Sequence, residues 1–106
     1  MAYFNISNGL RGGYMPDNSH ILRFSTRKEL KAYLLAESRD MREAHGYGGS
    51  KRIVAAIAAQ AWKNRKGYIY PYVIPFGRRR GDYPFGLFVG AATRTEYLEH
   101  CKEEGF

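Results

Sequence analysis

Three adjacent arginines, Arg78, Arg79 and Arg80, stand between glycines at Gly77 and Gly81. The flanks are aromatic and strand-like, Tyr68 to Phe76 on one side and Phe85 to Gly90 on the other. Three neighbouring guanidiniums repel one another, so they do little for a fold. At a hairpin tip they form a finger suited to a polyanion or to an acidic protein surface. Tyr68, Tyr70 and Tyr72 alternate with Ile69, Pro71 and Val73, which puts three phenols on one strand face. Tyrosines beside arginines stack unpaired bases, at about 1–3 kcal/mol per base. Phe88, with glycine at Gly86 and Gly90, is expected to leave a flat surface with an exposed ring. The alternative for these aromatics is a tyrosine-rich core and sheet face.

A second cationic constellation is Gly46-Tyr47-Gly48-Gly49-Ser50-Lys51-Arg52, ahead of an apolar helical stretch. Free amides at a helix start favour an anion. Lys51 and Arg52 are placed against the helix dipole, each at about 0.3–1 kcal/mol, and a bound phosphate would offset that. The spacing fails as a phosphate-binding nucleotide loop, because Arg52 replaces the hydroxyl residue and a helix comes before it. The plainer reading is a helix–helix connector with solvated cations. Lys63, Arg65 and Lys66 would extend a basic track beyond it.

On a helical wheel Lys28, Lys31, Arg39 and Arg42 form a stripe with Leu35 at its centre. That is the pattern of an apolar anchor in a polar contact patch. Otherwise Leu35 meets a loop of its own fold while the cations snorkel around it. Glu37, on the apolar stripe, either pairs with an arginine from elsewhere or stands at the stripe's margin in water.

No catalytic group assembles. His20, His45 and His100 are far apart in sequence and in no metal-ligating spacing. His100-Cys101 are helix neighbours that point about 100° apart, and there is neither a nucleophile elbow nor a carboxylate cluster. An enzyme is not expected, nor is a cofactor or a metal. The lone Cys101 excludes an internal disulfide framework and fits a reducing, cytoplasmic compartment. No membrane span and no basic-then-apolar leader are legible.

The elements that must position these groups follow from pattern. One domain is expected over the 106 residues, with an ordinary 44% apolar content. Phe4 and Ile6 alternate with Asn5 and Ser7 in a half-buried strand, Tyr3 to Ser7. A glycine-rich loop over 8–19 leads to a second strand, His20 to Phe24. Thr26-x-x-Glu29 is a capping box that starts a helix to about Ala44, and Gly46 supplies its left-handed stop. Ser50 caps a second helix, Lys51 to Lys66, with Ile53, Val54, Ile57, Ala58, Ala61 and Trp62 on one stripe. Strands over Tyr68–Phe76 and Phe85–Ala92 follow, joined by a basic loop over 77–84. Pro71 and Pro75, each without an amide hydrogen, imply that the first of them is an edge or ends early. Thr93-x-x-Glu96 caps a terminal helix to about Glu103. The order ββααββα predicts an α+β fold, an antiparallel sheet packed on helices. It differs from the βαββαβ of the RNA-recognition motif, with which Arg80 to Val89 shares only scattered positions.

Charge is uneven. Residues 1–95 hold 16 Lys+Arg against 6 Asp+Glu, and residues 96–106 hold one Lys and four Glu. Two functions fit. The first is a small non-enzymatic module that binds nucleic acid, DNA or RNA, or the nucleic-acid path of a ribonucleoprotein. Arg78, Arg79 and Arg80 would grip phosphates, Lys51 and Arg52 would hold another, and Tyr70, Tyr72 or Phe88 would stack bases. The second is a protein-interaction inhibitor, of the anti-restriction or anti-CRISPR type encoded by viruses and mobile elements. It would dock the basic surface, including Lys31, Leu35 and Arg39, on an acidic protein.

Overall fold

The computed structural model describes residues 1–10, 20–45, 49–66, 72–75 and 85–103. The elements run β1 (Ala2–Leu10), β2 (His20–Phe24), α1 (Arg27–His45), α2 (Lys51–Lys63), β3 (Tyr72–Pro75), β4 (Phe85–Ala92) and α3 (Arg94–Glu103). All strand pairs are antiparallel, in the order β2-β1-β4-β3. The expected α+β class and ββααββα order therefore hold. β3 lies at an edge, where Pro75 costs no ladder bond to a further strand.

Strand alternation sorts the sheet into two faces. Ala2, Phe4 and Ile6 point to the core, with Phe24, Ile74, Leu87 and Val89 beside them in register. α1 and α2 cover that face with Leu30, Leu34, Val54, Ala58 and Ala61, all buried. Phe4 is the hub, its ring 6.1 Å from Phe24 and 6.2 Å from Trp62. Tyr3 and Arg23 fall on the opposite face, where Tyr97 of α3 meets them, its ring 5.1 Å from that of Tyr3. α3 buries no residue fully.

Two boundaries differ from the sequence reading. β1 continues through Asn8 and Gly9 to Leu10, residues expected in the glycine-rich loop, because β4 supplies a ladder from Tyr3↔Ala92 to Leu10↔Phe85. A full-length partner outweighs the turn propensity of Asn8-Gly9. α2 stops at Lys63 rather than Lys66, because Asn64 turns its side chain back on the helix. Its Nδ2 donates to the Gln60 carbonyl at 3.2 Å and to the Tyr72 hydroxyl at 2.8 Å. The expected stops at Gly46 and Gly67 lie outside the described residues.

The three predicted N-caps are present. The Ile53 amide donates to Ser50 Oγ at 3.2 Å. Thr93 and Glu96 form the full reciprocal box, Glu96 N–H to Thr93 Oγ1 at 3.1 Å and Thr93 N–H to Glu96 Oε1 at 3.0 Å. Thr26 forms half of one. It accepts from the Glu29 amide at 3.2 Å, but the Glu29 carboxylate takes the Thr26 hydroxyl at 3.3 Å, not its amide.

Candidate functional site

The basic stripe of α1 and the start of α2 meet at a cleft of about 510 Å³. Ala32, Leu35, Ala36, Ser38, Arg39 and Arg42 of α1 line it, with Gly49 and Lys51 opposite. It exists because α1 and α2 pack side by side and the chain re-enters α2 through Gly49 in very close quarters. A Cβ on Gly49 would stand 2.5 Å from Ile74 Cγ2 and 3.0 Å from Ser38 Oγ. Arg42 Nη2 donates to the Gly49 carbonyl at 2.7 Å, tying the two helices together across the cleft mouth.

The cleft is electrostatically one-sided. Arg39, Arg42 and Lys51 are exposed at its rim, and among the described residues no carboxylate lines it. The only ion pair among the described residues is Arg39 Nε to Asp40 Oδ1 at 3.8 Å, with both side chains well exposed. Such a pair contributes little, so Arg39 is not neutralised by it. α2 has no acidic residue in its first turn, and its 13 residues end in positive partial charge at the cleft. The amides of Lys51 and Arg52 are first-turn donors without an intrahelical acceptor. The opposite wall, Ala32, Leu35 and Ala36, is small and apolar. Ser38, 2% exposed, carries a buried hydroxyl with no hydrogen-bond partner among the described residues.

Lys51, Arg39 and Leu35, predicted as site residues on separate grounds, are thus brought together. Leu35 is half-buried and packs partly on the core, so it is a wall of the cleft rather than a free-standing anchor. Lys31 and Arg52 are exposed but do not line the cleft. Lys63 is exposed at the far end of α2, which at 1.5 Å per residue is about 18 Å away, and Lys66 is exposed in the turn beyond it. Arg65 is engaged within the molecule. It stacks 4.9 Å over the Trp62 ring, and its Nη1 donates to the Trp62 carbonyl at 2.9 Å, satisfying a helix-end acceptor.

Two aromatic expectations need correction. Phe88 is 6% exposed, not a ring on an open surface, because β4 is a central strand with Ser7 of β1 and Val73 of β3 directly beside it. Tyr72 faces the core side opposite Val89, half-buried, with its hydroxyl taken by Asn64. It does not offer an open face for stacking. Tyr70 and the arginine finger, Arg78, Arg79 and Arg80, lie outside the described residues. Ile53, placed on the apolar stripe of α2, is 39% exposed, since Val54 takes the inward position beside it. Glu37 stands beside Tyr33. Burial first, then the Glu37 carboxylate, which repels the phenolate and hydrogen-bonds the phenol, push the Tyr33 pKa up to about 12.

Sequence reasoning missed Ser38, Ala32 and Ala36. Small residues at one-turn spacing on α1 were the available signal, legible only once α2 is known to lie alongside. Among the described residues no group of three His, Cys, Asp or Glu is placed to hold a metal ion, and no helix is long and apolar enough to cross a membrane. Comparison with protein-family models, with curated proteins and with solved structures gives no match.

Proposed function

We propose that the chain is a small basic module that binds nucleic acid, or the nucleic-acid path of a ribonucleoprotein. The observation that carries this reading is the convergence of Arg39, Arg42 and Lys51, from two helices, on one cleft with no carboxylate among its described lining residues. A solvated charged surface ordinarily intersperses both signs. From residue 50 to 66 the chain has Lys51, Arg52, Lys63, Arg65 and Lys66 and no acidic residue. Phosphates would lie along the α1–α2 rim, and Arg78, Arg79 and Arg80 would add a second grip. Charge of this kind binds with a strong dependence on salt and little on sequence.

Fluorescence anisotropy with random-sequence duplex DNA, single-stranded DNA and RNA, at low and near-physiological salt, tests the proposal. Micromolar or tighter binding that survives near-physiological salt supports it, and no binding at low salt would overturn it. Lys51→Ala with Arg52→Ala should weaken binding of every sequence and lower the salt slope by about 0.7–0.9 for each phosphate no longer gripped. The triple change of Arg78, Arg79 and Arg80 to Ala should lower it further. An unchanged slope removes the finger from the interface.

The apolar wall favours a second reading, an inhibitor that docks this face on an acidic protein. Nucleic-acid backbone gains little from Leu35. Ala32, exposed on the same wall, is the place to probe it, since Ala32→Glu leaves the core untouched.

A further inference from the structure

The cleft is not uniformly basic: along α1 the aliphatic Ala32, Leu35 and Ala36 give way to Arg39 and Arg42, with Lys51 across from them. We propose that it is a site for a single unstacked nucleotide, with the phosphate against Lys51, Arg39 and the start of α2, and the sugar and base on Ala32, Leu35 and Ala36. The assignment deepens the nucleic-acid reading and rests on it.

Four observations converge. The first is size, since a cleft of about 510 Å³ falls within the range of about 300–1,000 Å³ for small-molecule sites. The second is the helix end: Ser50 satisfies only the Ile53 amide, so among the described residues the Lys51 and Arg52 amides have no acceptor and stand beside positive side chains. Third, Arg42 uses one of its five donors on the Gly49 carbonyl, and among the described residues no acceptor takes the others, which suit an oxyanion. The fourth is independent of the helix end. A serine within a helix ordinarily returns its hydroxyl to a carbonyl one turn back. The Ser38 hydroxyl at the cleft floor is instead buried, with no partner among the described residues. A buried polar atom of this kind costs stability unless something bonds it. Its Oγ lies 3.0 Å from where a Cβ on Gly49 would stand, and Ser38 and Gly49 both line the cleft.

The wall decides between phosphate alone and a whole nucleotide. A site for free phosphate has no use for three aliphatic side chains, whereas a nucleotide covers them with its ring faces. An intact duplex keeps its bases stacked, so the cleft should favour single strands and frayed ends over blunt duplex.

Amide chemical-shift titration of the full chain tests this, with a nucleoside 5′-monophosphate, the matching nucleoside and inorganic phosphate as three separate probes. The monophosphate should shift Ser38, Gly49, Lys51 and Arg52, and bind more tightly than either half alone. Ser38→Ala removes the unpartnered hydroxyl without disturbing packing, so it should melt no lower than the parent yet bind the monophosphate about tenfold more weakly. Arg39→Ala, at an exposed position, should weaken binding by a similar factor. Shifts confined to Lys63, Lys66 and Arg94, or unchanged affinity in both variants, would overturn the assignment. If oligonucleotides bind while the cleft residues stay silent, the nucleotide site falls and the general nucleic-acid reading survives. If the monophosphate binds in the cleft and no oligonucleotide binds, the reading of the whole protein falls and the site stands.

Discussion

At the scale of single residues, Gly49 fixes how closely α2 approaches the sheet. Gly49→Ala drives a methyl group into Ile74 and Val54, both fully buried. The expected cost is about 1–3 kcal/mol of overpacking, read as a lower urea midpoint at an unchanged slope. Tyr33 gives a second expectation, in pH. Its folded pKa of about 12 stands above the ordinary 10.0, so between those values the unfolded chain has lost a proton that the folded chain keeps. The contribution is complete below pH 10 and is lost as pH rises toward 12. Tyr33 is half-exposed, and screening leaves on the order of 1 kcal/mol. Tyr33→Phe should therefore lose less stability than the parent between about pH 9 and pH 11.5, in paired denaturation curves that cancel the other phenols. Residue identity alone was a good guide to charge and a poor one to exposure. Lys51 and Arg39 are where their solvation demands, at the surface, whereas Phe88 and Tyr72 are set by which strands flank them. Arg65 could not be told from Lys63 until the Trp62 ring was known to lie beneath it.

At the scale of elements, caps and periodicity were legible because they are local. Ser50, Thr26 and Thr93 each start a helix through hydrogen bonds within four residues. Ends set from a distance were not: β1 reaches Leu10 because of β4, and α2 stops where Asn64 finds Tyr72. The cleft belongs to the second kind, since it is made by two helices and no segment contains it. α3 depends most on its cap, because it buries no residue fully and leaves Leu98 53% exposed. Its attachments are the Tyr3–Tyr97 and Arg23–Tyr97 contacts and the His20 ring, 5.9 Å from that of His100. Thr93→Ala should cost the helix about 1 kcal/mol. Amide exchange should speed up through Tyr97 to Glu103 while Phe4 and Val89 stay protected. Equal acceleration in the central strands would mean that α3 is part of the cooperative core.

At the scale of the molecule, the fold class and element order were readable from pattern, and the net charge of +7 is the basis for proposing an acidic partner. What the pattern could not give was sheet order, because strand pairing is chosen by tertiary packing and not by spacing along the chain. That order has a consequence in time. The two central strands are β1 and β4, paired from Tyr3↔Ala92 to Leu10↔Phe85, so a loop of roughly 80 residues must close before either of them is flanked on both sides. Closing so long a loop is an entropic toll collected ahead of most native contacts, which places such topologies among the slower two-state folders. Refolding should run in milliseconds to seconds, not microseconds. Substitutions that weaken the β1–β4 ladder, such as Val89→Ala, should slow refolding, while equivalent losses in α3 should chiefly speed unfolding. Until that ladder zips, α1 and α2 have only two separate strand pairs, β1–β2 and β3–β4, to pack on, so the cleft between the helices should take its final shape after the central ladder closes.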